Sequence, residues 1–350
     1  MAVKIGTATD HLDFWDTLLD FLQNDPALVA ANQNWEVAWQ HPSVPEIVLR
    51  GPGLSGPDQV LVGLRRRDDA LTFGESVIDL TGMTGVIPSA QGYNEHVGNL
   101  PVPPLFFLDQ NPMQYWIVAN GRRFVVVLRI STVYQAAYAG LYLPYASPTA
   151  NPMPLFIGGV RGSEAGITAA AVDSWRWGMT DRYRHFIYPM TNPTGNNARF
   201  SSAAYMLAPS GHWFEGGINV TVDTGDRLPL VRLGPRSFPA QLATYTAGPV
   251  LNGSSSSGTS YSARMGYLDL RERLIAGLNG EFSLTPITLN AGAYSGPSSP
   301  VTYGILDGCF SVPGIGNAAE NIISLNGVDH LVVANVQRTT VDEYWALALE

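Results

Sequence analysis

The chain has 350 residues, of which only 14% are charged, and its formal net charge is −9. All but one of its 20 basic residues are arginines, and Lys4 is the single lysine. The length allows one large domain or two average ones, with a core that needs no disulfide bond or metal ion. The acidic balance excludes broad contact with a nucleic-acid backbone. The lysine count excludes a Walker A loop or Schiff-base chemistry inside the fold.

Glycine, proline and aromatic residues take the place of charged ones, with 36 Gly, 25 Pro, 8 Trp, 15 Tyr and 13 Phe. This composition excludes disorder and predicts a β-rich, turn-rich protein with a neutral polar surface. Cys309 is the only cysteine, which excludes an internal disulfide bond and a cysteine-based zinc site. The opening segment lacks the apolar region of a signal peptide, and no apolar run reaches about 18 residues. We therefore expect a chain made and kept in a reducing cytoplasm, without membrane insertion.

A helix is predicted near the start of the chain. Thr9 or Asp10 can cap it, and Pro26 ends it. Between them, apolar residues recur at helical spacing, at Leu12, Trp15, Leu18, Leu19 and Leu22. We expect a helix over about residues 10–24, followed by a short helical turn at 26–31.

Short extended runs separated by proline and glycine turns follow this helix. The predicted strands are 35–40, 46–50, 59–66 and 71–80. Two apolar runs then flank Asn120-Gly121, a pair that favours the positive φ angles of a type I′ hairpin turn. Ser131 is predicted to cap a second, short helix over 132–141, which Pro144 ends.

The central region, residues 148–285, is the least periodic part of the chain. Its serine-rich tract at 252–260 predicts a flexible surface loop. Beyond this region, a hairpin turn is predicted at Asn326-Gly327, and a chain that ends in a strand predicts that this strand is paired. The predicted C-terminal strands are 305–312, 322–325, 330–336 and 343–349.

Together these elements predict a mainly β protein with an α+β N-terminal part, built from antiparallel sheets or a sandwich with long loops. We expect an N-terminal scaffold over residues 1–147 and a loop-rich β region over 148–285. Strands in the C-terminal part, residues 286–350, are expected to return to the scaffold.

Sequence motifs that usually carry chemistry fail here. Gly51-Pro-Gly-Leu-Ser-Gly56 matches G-x-G-x-x-G, but a strand rather than a helix follows it, so a plain loop is expected. Neither G-x-S-x-G nor H-E-x-x-H occurs, and the six histidines are scattered. Asp223 and Asp226 could face a sugar or a calcium ion, although a solvated turn is the favoured interpretation. We therefore predict no catalytic residue, no cofactor and no metal site.

Aromatic residues in the central region form the candidate surface for an interface or a ligand. Tryptophan and tyrosine beside arginine can stack on sugar rings or form the energetic centre of a protein–protein contact. The alternative is that they cover the core of a β-sandwich. Protein contact is favoured over glycan binding. The candidates are Trp175, Trp177, Tyr183, Trp213 and Phe214.

Three parts of the chain resemble a family of virion structural proteins encoded in the tail regions of tailed bacteriophages and prophages. The resemblance covers the N-terminus, residues 114–160 and the C-terminal 45 residues. The segments that carry it are Gly6-Thr-Ala-Thr-Asp-His-Leu-Asp13, Tyr115 to Tyr134 with Gly140 to Tyr145, Gly308-Cys-Phe-Ser-Val-Pro-Gly-Ile-Gly-Asn-Ala-Ala-Glu-Asn-Ile-Ile323, and Val336-Gln-Arg-Thr-Thr-Val-Asp-Glu-Tyr-Trp-Ala-Leu347. No catalytic residues come with this family.

The resemblance implies a non-enzymatic particle component at the tail tip, the baseplate or the fibre attachment. Its partners would be copies of itself and other phage tail proteins, assembled in the host cytoplasm into the virion tail. An alternative is a receptor-binding or glycan-binding tail protein that contacts the host surface through the aromatic loops. A third and weakest alternative is a glycan-degrading enzyme that uses Asp223 and Asp226.

Overall fold

The chain is mainly β, as predicted, with its helices near the N-terminus. A computed structural model describes residues 1–53, 60–68, 76–100, 103–162, 186, 204–216, 230–233, 284–291, 301–312, 317–334 and 344–350. Within these residues, helix α1 spans His11–Asn24 and helix α2 spans Pro26–Ala30. The serine tract at 252–260 lies outside the described residues.

Six antiparallel strands form the smaller of two sheets, here called the small sheet. Their spatial order is β12 (Arg161–Gly162), β6 (Pro104–Leu108), β5 (Ser76–Met83), β4 (Val60–Arg67), β3 (Glu46–Gly51) and β2 (Glu36–Gln40). Four of these strands were predicted, and the two edge-side strands β12 and β6 were not.

Among the described residues, fourteen strands form the large sheet, and all its pairings are antiparallel except one parallel pairing between Trp213–Gly216 and Leu230–Leu233. In spatial order the strands are β1 (Ala2–Ala8), β7 (Met113–Ala119), β8 (Arg123–Ile130), β9 (Val133–Leu141), β11 (Leu155–Gly158), β13 (Ala204–Leu207), β14 (Trp213–Gly216), β15 (Leu230–Leu233), β16 (Thr285–Ala291), β17 (Val301–Ser311), β20 (Tyr344–Ala348), β19 (Val328–Ala334) and β18 (Ile322–Leu325), with β10 (Leu143–Pro144) beside β17.

Helix α1 begins and ends where the sequence predicts. The carboxylate of Asp10 accepts hydrogen bonds from the backbone N–H groups of Leu12 and Asp13, at 2.8 and 2.9 Å, which satisfies two donors at the helix start. Asp25 ends α1 and caps α2, which opens on Pro26. The apolar side of α1 is buried, and this side consists of Phe14, Trp15, Leu18, Phe21 and Leu22.

Strands β7, β8 and β9 are covered on both faces, so the molecule has three layers here. On β8, Phe124 and Val126 belong to a core shared with α1 and the small sheet. Val125 and Val127 belong to a second core, shared with strands β16, β17, β19 and β20. A strand buried on both faces needs apolar residues at successive positions instead of alternation. This explains the uninterrupted run Phe-Val-Val-Val-Leu in β8.

The predicted helix over 132–141 is wrong, because this segment is strand β9. Ser131 has a φ of 56° and lies in the hairpin turn between β8 and β9 instead of capping a helix. Ala136 faces one core, while Ala137 and Ala139 face the other. Because both faces of β9 are covered, apolar residues occupy successive positions, and several of them are alanines, which have high helix propensity. The resulting alanine-rich pattern therefore lacks the alternation typical of a strand and resembles a helix.

A buried glutamine ties β9 to the small sheet. The side-chain oxygen of Gln135 accepts a hydrogen bond from the backbone N–H of Phe107 at 2.8 Å, and its side-chain nitrogen donates to the carbonyl oxygen of the same residue. The carboxamide thus replaces a strand neighbour for Phe107 and satisfies groups that would otherwise be buried without partners.

Both predicted hairpins exist, but only one has the predicted turn. Asn326 and Gly327 have φ angles of 53° and 82°, as a type I′ turn requires. Gly121 lacks a positive φ angle. In this turn the Asn120 side-chain oxygen instead accepts the backbone N–H groups of Arg122 and Arg123, at 2.8 and 3.1 Å. The local side-chain bond therefore selects the turn.

The C-terminal strand is paired, as predicted. Strand β20 lies between β17 and β19, and its Trp345 and Leu347 are fully buried in the second core. That core contains residues of β7, β8 and β9 as well, so the C-terminal strands pack on the N-terminal part of the chain. Strand β1, which the sequence did not predict, pairs with β7 along its whole length.

Replacing Gly140 by alanine should destabilise the fold strongly. Gly140 has a φ of 138°, and a Cβ atom there would meet the carbonyl oxygen of Arg122 and the Cα of Arg123 well inside contact distance. We expect Gly140→Ala to lower the free energy of unfolding by about 3 kcal/mol or more, measured by urea denaturation. The control is Gly211→Ala, which has a φ of 82° in open space and should cost about 1–2 kcal/mol. Equal losses of unfolding free energy in the two variants would show that the close contact at Gly140 adds nothing to the cost of its positive φ angle.

Candidate functional site

Most of the aromatic candidates lie where the structure gives no description. Trp175, Trp177 and Tyr183 fall outside the described residues, as do the acidic pair Asp223 and Asp226. The interface and sugar-site interpretations for these residues stay predictions.

Trp213 is a core residue. Its side chain is 6% exposed, packs in the core between the small sheet and the large sheet, and donates a hydrogen bond from Nε1 to the carbonyl oxygen of Gly98 at 3.0 Å. The expectation of a ligand surface at this residue is therefore wrong for the folded chain, and the core-covering alternative applies. Phe214 follows on β14, where its backbone pairs with Met206. Sequence reasoning missed the burial because its signal, the partner Gly98, is remote in the chain.

Open strand edges are the first candidate surface. Among the described strands, β1 and β18 each have a neighbour on one side only. Ile5 on β1 is 53% exposed, and Ile322 on β18 is 50% exposed. Val3 and Ala319, beside these residues, pack on the same core, so both edges border one part of the molecule. A free edge with an exposed β-branched side chain is a template for pairing with another strand.

One edge of the small sheet, strand β2, also has an exposed β-branched residue, Val37 at 45%, but its backbone differs from those of β1 and β18. Strand β2 shifts its register between Val37 and Trp39, and Glu36 at its start is exposed. A bulge and a charge are the features by which natural sheets block edge pairing. Lys4, the single lysine, lies on β1 next to Ile5 and points to the opposite face of that strand.

A buried charge cluster joins the small sheet to the loop that follows β5. The carboxylate of Asp79 has no exposed surface and accepts hydrogen bonds from Arg65 at 2.8 and 3.0 Å and from Arg67 at 2.7 and 2.8 Å. The Arg65 guanidinium lies 4.9 Å from the centre of the Tyr93 ring, and Glu46 accepts the backbone N–H of Tyr93. Every strong charge in this cluster has a partner of opposite sign, which indicates a structural role.

A cavity of about 270 Å³, here called the turn cavity, is the second candidate site. It lies at the β7–β8 turn and is lined by Met1, Gln33, Gly53, Asn120, Gly121 and Arg122. The Trp35 indole donates a hydrogen bond to the Asn120 carbonyl oxygen at 2.9 Å, and Gly53 donates its N–H to the Gly121 carbonyl at 2.8 Å. These bonds fix the turn between the end of β3 and the segment after α2.

Two arginines and one aspartate lie beneath the turn cavity. The Asp307 Oδ2 atom on β17 accepts hydrogen bonds from Arg122 and Arg123, each at 3.2 Å, and from Asn120 at 3.4 Å. Arg123 is fully buried, and Gly308 gives it room because a Cβ atom there would meet its Nη2 atom. The cluster connects the β7–β8 turn to the C-terminal strands.

Burial also sets the protonation of the groups around this cluster. It raises the pKa of the Cys309 thiol to about 12 and that of Tyr142 to about 12, and it raises the pKa of the buried Tyr138 hydroxyl well above its ordinary value. These groups therefore stay neutral over the physiological range.

Among the described residues, no group of three or more His, Cys, Asp or Glu side chains is placed to hold a metal ion. No described helix has the length and apolar character needed to span a membrane. No protein-family model matches the chain, and no curated protein matches its sequence.

Removing the charge of Asp79 should cost far more stability than removing an exposed one. In Asp79→Asn, two arginines lose their buried counter-ion, and we expect the free energy of unfolding to fall by about 3–5 kcal/mol. The matched control is Asp68→Asn, because Asp68 pairs with Arg66 in a neighbouring turn and its side chain is 39% exposed. That variant should lose at most about 1 kcal/mol. Urea denaturation of both variants makes the comparison, and similar small losses would contradict a structural role for the cluster.

The Cys309 thiol should be inert in the folded chain. With a pKa of about 12, roughly one molecule in 10⁴ carries a thiolate at pH 8, so a disulfide reagent such as DTNB should react only after unfolding in urea. Because the folded state holds this proton more tightly than the unfolded state, the free energy of unfolding should decrease as pH rises from about 9 towards 12. Cys309→Ser gives the background rate, and fast labelling in native buffer at pH 8 would contradict the burial.

Proposed function

We propose that this chain is a non-enzymatic structural subunit of a tailed bacteriophage virion, at the tail tip, the baseplate or the fibre attachment. It acts through symmetric contacts with copies of itself and through contacts with other tail proteins. The proposal starts from the sequence resemblance and is supported by one structural observation above the others, the two open edges of the large sheet.

The open edges support assembly because each has no neighbour on one side among the described strands and carries an exposed isoleucine. Pairing at β1 or β18 would extend the large sheet into a neighbouring chain and remove these side chains from water. Symmetric assemblies are built from such repeated contacts, either between identical edges or between different edges in a ring.

Low charge density gives further support. Removing an unpaired charge from water is costly, and interface centres are depleted in charged residues for this reason. With 14% charged residues, the chain can form large contacts with few such losses. The carboxylates of Asp79 and Asp307 form ion pairs with arginines of the same chain, so they do not oppose contact with a neighbouring chain.

Receptor or glycan binding by the aromatic loops has less support. Trp213, one of the residues on which this alternative depends, is buried in the core. The alternative therefore depends on Trp175, Trp177 and Tyr183, outside the described residues, and we do not propose it as a second function.

Charged substitutions at the open edges should disrupt self-assembly. We expect light scattering of the purified chain over a concentration series to give a multiple of the 37.7 kDa monomer mass. Ile5→Lys and Ile322→Lys place a charge on each edge and should shift the mass towards the monomer at equal concentration. The matched control is Val29→Lys, which changes a β-branched side chain of similar exposure, 47%, on α2. It should leave the mass unchanged.

Two results would contradict this assembly model. One is a monomer mass for the unchanged chain at every concentration, and the other is an unchanged oligomer in both edge variants. The location in the particle is tested separately by immunogold labelling of purified virions that contain the chain. Label on the tail supports the proposal, whereas label confined to the capsid, or none, contradicts it.

A further inference from the structure

The turn cavity has the architecture of a small binding site. Four separate parts of the chain form its wall: Met1 before β1, the β7–β8 turn, the segment after α2 at Gln33, and the segment after β3 at Gly53. The Cα of Gln33 lies 3.4 Å from the position that a Cβ atom on Gly121 would take, so these walls are in close contact. Its volume of about 270 Å³ is that of a site for a small metabolite-sized molecule.

Charge at the cavity is unbalanced. Arg122 and Arg123 carry two positive charges, and Asp307 is their one acidic partner among the described residues. All three hydrogen bonds that Asp307 accepts in this cluster reach the same oxygen, Oδ2. Guanidinium groups therefore outnumber carboxylates around the cavity, which favours an anion there.

Two polar atoms at the site lack hydrogen-bond partners within the described part of the chain. One is Nη1 of Arg123, whose Nη2 has only the thioether sulfur of Met1, a weak acceptor, at 3.3 Å. The other is the side-chain oxygen of Gln33, a buried acceptor on the cavity wall. A buried polar group without a partner is costly, and a ligand hydroxyl that supplies the partner for the Gln33 oxygen recovers that cost.

We propose that the turn cavity binds a small hydroxycarboxylate. Its carboxylate would pair with the Arg122 guanidinium, whose fork of N–H donors matches two carboxylate oxygens. A hydroxyl group of the same molecule would donate a hydrogen bond to the Gln33 side-chain oxygen. This inference does not depend on the proposed role in a virion.

Ligand-observed NMR titration at constant ionic strength tests the proposal with matched probes. Gluconate carries one carboxylate and several hydroxyl groups, sorbitol has the hydroxyl groups without the carboxylate, and hexanoate has the carboxylate without the hydroxyl groups. Inorganic phosphate is the fourth probe. We expect gluconate to saturate one site per chain and to bind more tightly than each of the other three.

Substitutions then locate the site. Arg122→Gln should weaken gluconate binding by at least about 10-fold, since it removes hydrogen bonds to a charged group. Gln33→Glu places a carboxylate inside the cavity and should weaken binding at least as much, which keeps the test valid if the first variant does not fold. Arg66→Gln, which changes an arginine paired with Asp68 on the small sheet, should bind as the unchanged chain does.

Each other outcome overturns a stated part of the proposal. Equal affinity for gluconate in the unchanged chain and in both cavity variants removes the site from the turn cavity. If sorbitol binds as tightly as gluconate, the carboxylate does not contribute to recognition. If hexanoate binds as tightly as gluconate, the hydroxyl contact does not contribute. If phosphate binds more tightly than gluconate, the ligand is not a hydroxycarboxylate. If gluconate does not saturate the chain, the proposal is wrong.

Discussion

Burial of β7, β8 and β9 on both faces is the constraint on which the rest of the structure depends. Each of these strands supplies alternate side chains to two cores, one shared with α1 and the small sheet and one shared with the C-terminal strands. Burying a large apolar side chain stabilises the folded state by roughly 1.5–3 kcal/mol. Each of these strands therefore contributes to the stability of both cores. One face of the C-terminal strands is buried because the N-terminal part provides the other side of their core. The two ends of the chain are therefore parts of one structure.

Local signals predicted the parts of the fold that local chemistry decides. Asp10 caps the start of α1 and Pro26 follows its end, as predicted. Asn326-Gly327 forms the predicted hairpin turn between β18 and β19. Both features depend on residues only a few positions apart in the chain. Strand β9 was wrongly predicted as a helix because its alanines pack against two layers that are formed by distant parts of the chain. Propensity gives way to packing where both faces of a strand are covered.

The candidate site was less predictable than the fold, since each of its features depends on distant residues. Asp307 meets Arg122 and Arg123 across about half the chain, and the sequence gives no sign of that meeting. Trp213 likewise resembles a surface anchor until Gly98 is known to accept its indole N–H. Aromatic and arginine residues serve cores and interfaces equally well, so composition alone does not separate the two roles.

The net charge of the chain affects how the turn cavity could hold an anion. The chain as a whole carries −9, and a field of that sign repels anions from the surface. An anion at the turn cavity must therefore be held by the nearby guanidinium groups, against the field of the rest of the molecule. Salt screens the distant repulsion more than the short, partly buried contact with Arg122. Affinity for an anion at this cavity would then hold or rise slightly as salt is added. Binding driven by general surface attraction would instead fall steeply as salt is added.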